Sequence, residues 1–373
     1  MDLNDLRTTI DTVDQRLIQL LNERAQISLR IGAAKKQITN DTEAAVYFPA
    51  REQQIFEKIG KLNSGPMLTD NLIAIYREIM SASINLQRDT TIACLGPFGT
   101  YSYTAAKGRF GDSVSYLPLP SIKDVFKAVE TNQATYGIVP FENSYKGSVQ
   151  ESLDCFPDHN IYVIGETSIE IHHSLLSVSP NVQRVTKIYS HPEALQQCSL
   201  WLSQNLPNAQ RCPVSSTAHG AELASRDPNA AAICHESLAL KYKLQNLAKD
   251  IEDHASNYPN TTRFFIIQAK KDLKSILNSL TATPIENLKS LILFTVDHRQ
   301  PGSLVDALSF FKENKLNLTK IDSRPSNKMP WHYWFFIECQ GNVFEILEKT
   351  KESELAKCCI DLHYLGVYLK DSK

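Results

Sequence analysis

Charge of one sign is missing from this sequence. Lysine and arginine number 39 against 41 aspartates and glutamates, a formal net charge of -2, and no long run carries a single sign. A nucleic-acid-binding surface needs a basic face, so nucleic acid is not expected as a partner. Long apolar runs are missing as well. No stretch approaches the about 18 residues of a membrane-spanning helix, so no membrane partner is expected either. The eight cysteines include no Cys-x-x-Cys pair, and the adjacent Cys358 and Cys359 cannot easily share one metal. Reduced thiols of a cytoplasmic protein fit this usage better than disulfides or zinc. Met1-Asp2-Leu3-Asn4-Asp5 is acidic and polar, the reverse of a secretory signal, which also favours a cytoplasmic location. At 373 residues the chain is long enough for two or three domains with large cores.

Residues 1–90 read as helices. Leu3, Leu6, Ile10, Val13, Leu17, Leu20, Ile27 and Ile31 recur every three or four positions, one narrow face of a long helix suited to a bundle or a dimer. Arg24 interrupts that face, and Lys35 lies about three turns further on, nearly in line with it. Buried cations need partners, so together they point to a bound anion. Arg7 flanks the face near its start, where a long side chain can simply snorkel. A second helix starts at Pro49 and turns Ile55, Ile59 and Leu62 inward, with Glu52 on the same face. That glutamate either pairs with a cation or stays protonated. Asn63-Ser64-Gly65-Pro66 ends this helix, and a third runs from Thr69 to Gln87. Its stripe of Leu72, Tyr76 and Met80 continues into Ser83 and Gln87, which line a pocket or emerge into solvent. Arg24, Lys35, Glu52, Ser83 and Gln87 on inward faces define a cationic pocket for a small polyanion.

Residues 91 to about 270 alternate strands and helices, which predicts an α/β sheet with ligands at strand ends. Tyr136 to Val139 reads as a buried strand that breaks at Pro140. It presents Glu142, Asn143, Ser144, Lys146 and Ser148 in a polar loop closed by Gly147, a binding site or an ordinary turn. Gly96-Pro97-Phe98-Gly99-Thr100-Tyr101-Ser102 leaves a strand and enters a helix, a place for an anion. Ser190-His191-Pro192 and Ser215-Ser216-Thr217 repeat the device. Capping explains any one of them, and three imply one cleft lined by helix N-termini. Ile169–Ile171, Leu175–Val178 and Ala231–Cys234 read as strands of a second lobe. Thr261 to Ile267 reads as a strand returning to the first lobe, so that the lobes are discontinuous in sequence, as in hinged binding proteins. Arg263 is a carboxylate-binding candidate. His172 and His173 read as structural, and no metal cluster is expected. Residues 284–366 carry a β-α-β-β-α-β pattern, the ferredoxin-like split unit, after a linker from Ala269 to Asn287.

Specific stretches carry a resemblance. Leu6-Arg7, Asn22-Glu23-Arg24, Ile31-Gly32-Ala33-Ala34-Lys35, Pro49-Ala50-Arg51-Glu52 and Glu78 to Ser83 are similar to the all-helical chorismate mutase domain of bifunctional enzymes. That resemblance implies an interlocked dimer in which Arg7 reaches the partner's site. It also implies that Arg24 and Lys35 hold the carboxylates and ether oxygen of chorismate, while Arg51, Glu52, Ser83 and Gln87 complete the pocket. One relative has aspartate where Phe48 stands, and some have glutamate where Gln87 stands. A neutral amide needs no proton to donate, so the mutase rate is expected to hold between about pH 6 and pH 8.

The Gly96 to Ser102 loop, Val139 to Ser144, Ile171-His172-His173, Ser190-His191-Pro192 and Thr261-Thr262-Arg263-Phe264 together resemble prephenate dehydratase. The implied fold has two lobes like a periplasmic binding protein. Thr262 is the implied catalytic residue, and Thr100, Ser102, Glu142, Asn143, Ser144, Ser190, Ser216 and Thr217 are implied to lie around the cleft with Arg263. Glu142 or a water is the expected proton source. Pro301-Gly302-Ser303-Leu304 and Asp322-Ser323-Arg324-Pro325 resemble the phenylalanine-binding kind of ACT regulatory domain, with serine for the usual alanine and aspartate for the usual glutamate.

The whole is expected to be multidomain. It comprises an all-α mutase domain (1–90), an α/β dehydratase domain (91–270) and an α+β ACT domain (284–366), working as a homodimer or homotetramer without cofactor or metal. The expected substrates are chorismate and prephenate, and the effector is L-phenylalanine. Turnover of arogenate in place of prephenate and a purely ligand-sensing role remain as alternatives. Cutting the chain after about residue 284 is expected to leave activity and abolish inhibition.

Overall fold

The computed structural model describes residues 2–39, 46–253, 258–270, 273–281, 283–326, 329–349 and 354–371. Three helices come first, α1 (Leu3–Thr39), α2 (Pro49–Leu62) and α3 (Thr69–Gln87), starting where Pro49 and Thr69 are expected to start them. α1 continues past its apolar stripe because Ala33-Ala34-Lys35-Lys36-Gln37 are strong helix formers. The stripe itself is bare. Leu3, Leu6, Ile10, Val13, Leu17, Leu20, Ile27 and Ile31 are each between 48% and 60% exposed.

The chain then alternates β1 (Thr91–Leu95), α4 (Tyr101–Phe110), β2 (Ser115–Leu119), α5 (Ile122–Glu130), β3 (Tyr136–Asn143), β4 (Gly147–Ser148), α6 (Gln150–Cys155) and β5 (Ile161–Glu170). It passes through β6 (Ser174–Ser177), β7 (Lys187–Ser190), α7 (Pro192–Gln197), α8 (Ser199–Asn205), β8 (Gln210–Pro213), α9 (Thr217–Ala224), β9 (Ala230–Cys234), α10 (Leu238–Tyr242) and β10 (Gln245–Ala248). β11 (Thr261–Ala269) then returns to the first sheet and inserts antiparallel between β3 and β5. The first sheet therefore runs β2-β1-β3-β11-β5 with β4 on β3, and the second runs β10-β6-β9-β7-β8.

Two readings change here. Pro140 does not break its strand. It stays within β3 opposite a register shift between Arg263 and Phe264, and a bulge tolerates its missing N–H. Ile169 and Glu170 end β5 of the first sheet rather than opening the second, because β5 pairs with β11 over its whole length.

The third sheet follows: α11 (Leu273–Leu280), β12 (Leu288–Thr295), α12 (Ser303–Glu313), β13 (Leu318–Pro325), β14 (Tyr333–Gln340), α13 (Val343–Lys349), α14 (Glu354–Cys358) and β15 (Asp361–Leu369). Its order is β13-β14-β12-β15, antiparallel throughout. The linker read from Ala269 to Asn287 contains a helix, α11, and the expected helix from Val343 to Leu355 is α13 and α14, with 350–353 outside the described residues. β12 reads Leu-Lys-Ser-Leu-Ile-Leu-Phe-Thr, nearly continuous apolar, because both of its faces are covered. Ile292 and Phe294 pack under α12, while Leu291 and Leu293 share a core with Phe141, Phe156 and Phe265 of the first sheet's side.

A cut near 284 would therefore not be clean. It would strip Trp334, Phe336, Leu365 and Tyr368 from that shared core, so the truncated chain is expected to be unstable rather than active and uninhibited. Gly366 shows how close the sheets come. At φ +150°, a Cβ placed there would lie 2.1 Å from the Val163 carbonyl oxygen of β5. Gly366→Ala is expected to cost about 2 kcal/mol or more and to lower the Tm by several degrees, read by calorimetry. An unchanged Tm would mean that β15 can shift off β5 at no cost.

Candidate active sites

Two cavities among the described residues bear on function. The first, about 660 Å³, sits among α1, α2, α3 and α11. Arg24, Lys35, Arg51, Glu52, Ser83 and Gln87 all line it, so the inward faces expected from periodicity meet in one space. Arg24 Nη1 donates to Ser83 Oγ at 2.5 Å, and that hydroxyl donates back to the Ile79 carbonyl at 2.7 Å. Gln87 Nε2 donates to Ser28 Oγ at 2.7 Å, whereas its buried Oε1 has no hydrogen-bond partner. Lys35 Nζ lies 4.1 Å above the Phe48 ring, a cation–π contact. Burial lowers the Lys35 pKa and raises that of Glu52, the latter opposed by Arg109 and Arg77. Arg7 is exposed on α1 and does not line this cavity.

Ser28, Asn278 and Thr281 also line the cavity. Ser28 was readable, one turn after Arg24 on the same face. Asn278 and Thr281 were not, since only the chain's return through α11 brings them to the helices.

The second cavity, about 1100 Å³, opens between the first two sheets. Thr262 faces it from β11, paired in register with Asn143 of β3. Asn143 Nδ2 donates to Thr262 Oγ1 at 3.0 Å and to Asn260 Oδ1 at 2.7 Å, while its Oδ1 accepts from the N–H groups of Tyr145 and Lys146. The hydroxyl of Thr262 is thus fixed as an acceptor from Asn143, and its own proton is left for something in the cleft. Thr100 caps α4 and Ser216 caps α9, and both line the cleft with Ser102 and Thr217. Lys146 reaches from the β3–β4 loop to Gln196 of α7 at 2.7 Å, a contact from one side of the cleft to the other.

Four expected cleft residues lie elsewhere. Ser190 is fully buried with its hydroxyl donating to the Ile233 carbonyl at 2.6 Å, and it is His191 that caps α7 at the cleft. Ser144 braces the loop instead, bonded to the Pro259 carbonyl and the Thr261 N–H. Glu142 and Arg263 point away from the cleft, because neighbours on a strand face opposite sides.

Arg263 binds Glu142 at 2.7 Å, Glu166 at 3.0 Å and Glu338 of β14 at 2.6 Å. Lys289 joins Glu166 and Glu338, and Lys320 of β13 joins Glu142 at 2.6 Å. Burial works against the charge on Glu338, but Arg263 and Lys289 outweigh it and hold its carboxyl below the usual range. Glu142 has both oxygens on cations and no view of the cleft, so it is not the proton source. Glu151, Glu193, His191 and His173 are cleft-lining groups able to carry a proton; sequence reasoning gave none of them that role and read His173 as structural. His173 is buried, with Nδ1 3.0 Å from the Tyr101 hydroxyl and Nε2 2.8 Å from Gln197.

His172 sits among carboxylates. Its ring lies 3.0 Å from Glu252 and 3.4 Å from both Asp250 and Glu170. His172, Asp250 and Glu252 offer ligand atoms within 4.8 Å of one another, a grouping hidden by their distance in sequence. Burial disfavours charge on His172, yet Glu252, Glu170 and Asp250 raise its pKa, as suits an imidazolium among carboxylates.

In the third sheet, Gly302 caps α12 at φ +93° with Pro301 before it, Ser303 donates to the Gln300 carbonyl, and Leu304 packs against the α12 core. Asp322 accepts from Ser148 at 2.6 Å, and Ser148 lines the cleft. Arg324 grips Asp154 of α6 through two 2.7 Å bonds, while Ser323 and Pro325 stay exposed.

The chain carries two family signatures in series: chorismate mutase type II over residues 6–88 and prephenate dehydratase over residues 92–272. The bifunctional chorismate mutase/prephenate dehydratase of Aquifex aeolicus is 41% identical over 99% of this chain and 98% of its own length. That of Stutzerimonas stutzeri is 36% identical with the same coverage. Among solved structures, prephenate dehydratase from Arthrobacter aurescens in complex with L-Phe matches 75% of this chain and 90% of its own, at 28% identity and a TM-score of 0.65. This chain belongs to the family of bifunctional chorismate mutase/prephenate dehydratases, an isomerase and a lyase in one polypeptide. No described helix is long and apolar enough to cross a membrane.

Proposed function

We propose that the helical cavity rearranges chorismate to prephenate, that the two-lobed cleft converts prephenate to phenylpyruvate, and that the third sheet is an ACT-type domain sensing L-phenylalanine. The observation that carries this reading is the pair of cavities, one with its cations all inside the first family signature and one hydroxyl-bearing and inside the second.

In the helical cavity no covalent step is needed. Arg24, Arg51 and Lys35 hold the substrate's two carboxylates in the folded, reactive conformer. Charge develops on the ether oxygen as its bond breaks, and Lys35 and Gln87 are the donors for it. The unpartnered Oε1 of Gln87 fits this role once the amide is turned, so that Ser28 donates to Oε1 and the N–H faces the substrate. The bare stripe of α1 is covered by the same stripe of a second copy, which brings the partner's Arg7 to this cavity.

In the cleft, the carbon–carbon bond to the departing carboxylate breaks and its electrons move into the ring. Hydroxide leaves with a proton, and the ring becomes aromatic. Thr262 hydrogen-bonds the leaving oxygen. A strong clamp on the departing carboxylate would oppose its loss. Lys146 is the one lysine or arginine among the described residues lining the cleft, and helix N-termini and hydroxyls make up much of the rest. Phenylalanine acts by population shift. Asp322 on Ser148, Arg324 on Asp154 and the Arg263 network join the sensing sheet to the cleft strands.

The test supplies the purified chain with chorismate and follows prephenate and phenylpyruvate, with and without phenylalanine. Phenylpyruvate formed without another enzyme and suppressed by phenylalanine is the expected result. Prephenate that accumulates unchanged would overturn the dehydratase reading and direct the same assay to arogenate.

A further inference from the structure

The wall of the helical cavity is not made by the helical segment alone. Glu52 is 9% exposed there, and the cation that meets it comes from the first sheet's side. Arg109, near the end of α4, places Nη2 3.1 Å from Glu52 Oε2. The same guanidinium donates from Nε to the Tyr47 hydroxyl and sits 5.5 Å from the centre of that ring. Tyr47 is itself fixed from the same side. The N–H groups of Val46 and Tyr47 donate to the Tyr136 hydroxyl of β3, and the Tyr47 ring packs on Phe110 at 4.7 Å and Tyr136 at 5.6 Å. The chain entering α2, and the glutamate in its first turn, therefore take their position from the dehydratase half.

We propose that Arg109 is a positioning residue for the mutase reaction: it holds Glu52 as an oriented, ionised acceptor in the chorismate cavity and cancels a charge that would otherwise face a dianionic substrate. This rests on the reading of that cavity as the mutase site. Arg24, Lys35 and Arg51 supply the positive charge that draws in two carboxylates. A bare Glu52 carboxylate would cancel part of that attraction. A protonated Glu52 would present a donor to the cavity in place of an acceptor. Arg109 works against both, favouring the ionised carboxylate against its burial and offsetting its charge, and it stays out of contact with the substrate. It does not appear among the residues lining the cavity. The mutase site is thereby completed by a residue of the second signature, and the first signature alone does not contain it.

The experiment uses the full chain. Arg109→Gln is expected to raise the mutase KM for chorismate about tenfold or more, while dehydratase kcat/KM on prephenate stays within about twofold. Arg109→Lys should recover most of the loss, because it restores the charge. In a Glu52→Gln background, which leaves no charge to hold, Arg109→Gln should add less than about twofold. Should Arg109→Gln fold poorly, Tyr47→Phe removes the acceptor of the Nε bond with the charges intact and is expected to raise KM about threefold. An unchanged mutase would overturn the proposal. So would a parallel fall in both activities that lysine does not rescue, or a full Arg109→Gln effect in the Glu52→Gln background. Arg24→Ala tests the cavity reading separately. If it leaves the mutase intact, the cavity is not the site; if it abolishes the mutase while Arg109→Gln does nothing, the role of Arg109 alone has failed.

Discussion

Replacing Thr262 with alanine is expected to lower dehydratase kcat by about 10² to 10³-fold, the usual effect of losing one well-placed donor to a developing charge. The mutase rate should be unchanged, since Thr262 lines the other cavity. Thr262→Ser should retain most activity, because Asn143 can donate to either hydroxyl at the observed 3.0 Å. Asn143→Ala should reproduce a large part of the Thr262→Ala loss. It frees the hydroxyl to rotate and also releases the turn held by the N–H groups of Tyr145 and Lys146. Steady-state assays on prephenate decide this, with circular dichroism to show that the variants fold. A Thr262→Ala enzyme within about threefold of the parent would remove Thr262 from the chemistry and leave the cleft without an assigned leaving-group donor.

The second large effect concerns the exposed stripe on α1. Leu17→Glu is expected to dissociate the protein and to cut mutase activity by more than about 10²-fold, with a smaller effect on the dehydratase. A charge buried without a partner costs roughly 3 kcal/mol or more, and a twofold interface contains it twice, so association should weaken by about 10⁴-fold. On the proposed pairing of two copies the mutase should depend on association, because Arg7 lies outside its own chain's cavity and would reach only the partner's. Analytical ultracentrifugation alongside mutase kinetics gives the answer. A Leu17→Glu protein that is monomeric and still fully active would show that one chain makes a complete mutase site. A protein that stays associated would show that the stripe is not the interface.

The mutase cavity was legible in the sequence to a large degree because helical periodicity fixes which side chains share a face. Arg24, Lys35, Glu52, Ser83 and Gln87 each sit at positions one or more whole turns along inward stripes, and three packed helices bring such stripes together. Arg109, Asn278 and Thr281 lay beyond that logic, since helices and loops from distant parts of the chain deliver them. The cleft was legible only in part. Thr100, Ser102, Asn143, Ser216, Thr217 and Thr262 line it, whereas Glu142, Ser144, Ser190 and Arg263 do not. For Arg263 the signal was available. Successive residues of a strand face opposite sides, so Thr262 and Arg263 could not both enter one cleft. The same rule separates Glu142 from Asn143. The elements of the third sheet come in the order read from the sequence, but its fusion to the first sheet was not legible there. Lys289, Glu338 and Gly366 look unremarkable in sequence, and only the approach of β15 to β5 gives them meaning.

The distribution of the cores has a consequence for how the chain is made. Val46, Tyr47 and Ile84 of the helical segment pack with the first sheet, and so do Leu288 and Val367 of the third. The second sheet has cores of its own, around Ile188 and Leu202 on one face and Ala218 and Ala232 on the other. Its strands are all synthesised by Ala248, before β11 has been made. During translation the second sheet has all its partners first. The first sheet still lacks its inner strand β11, and β12, β14 and β15 that cover it come last of all. Emergence from the ribosome thus finishes the middle of the molecule before its beginning, and the oldest residues wait longest for their neighbours.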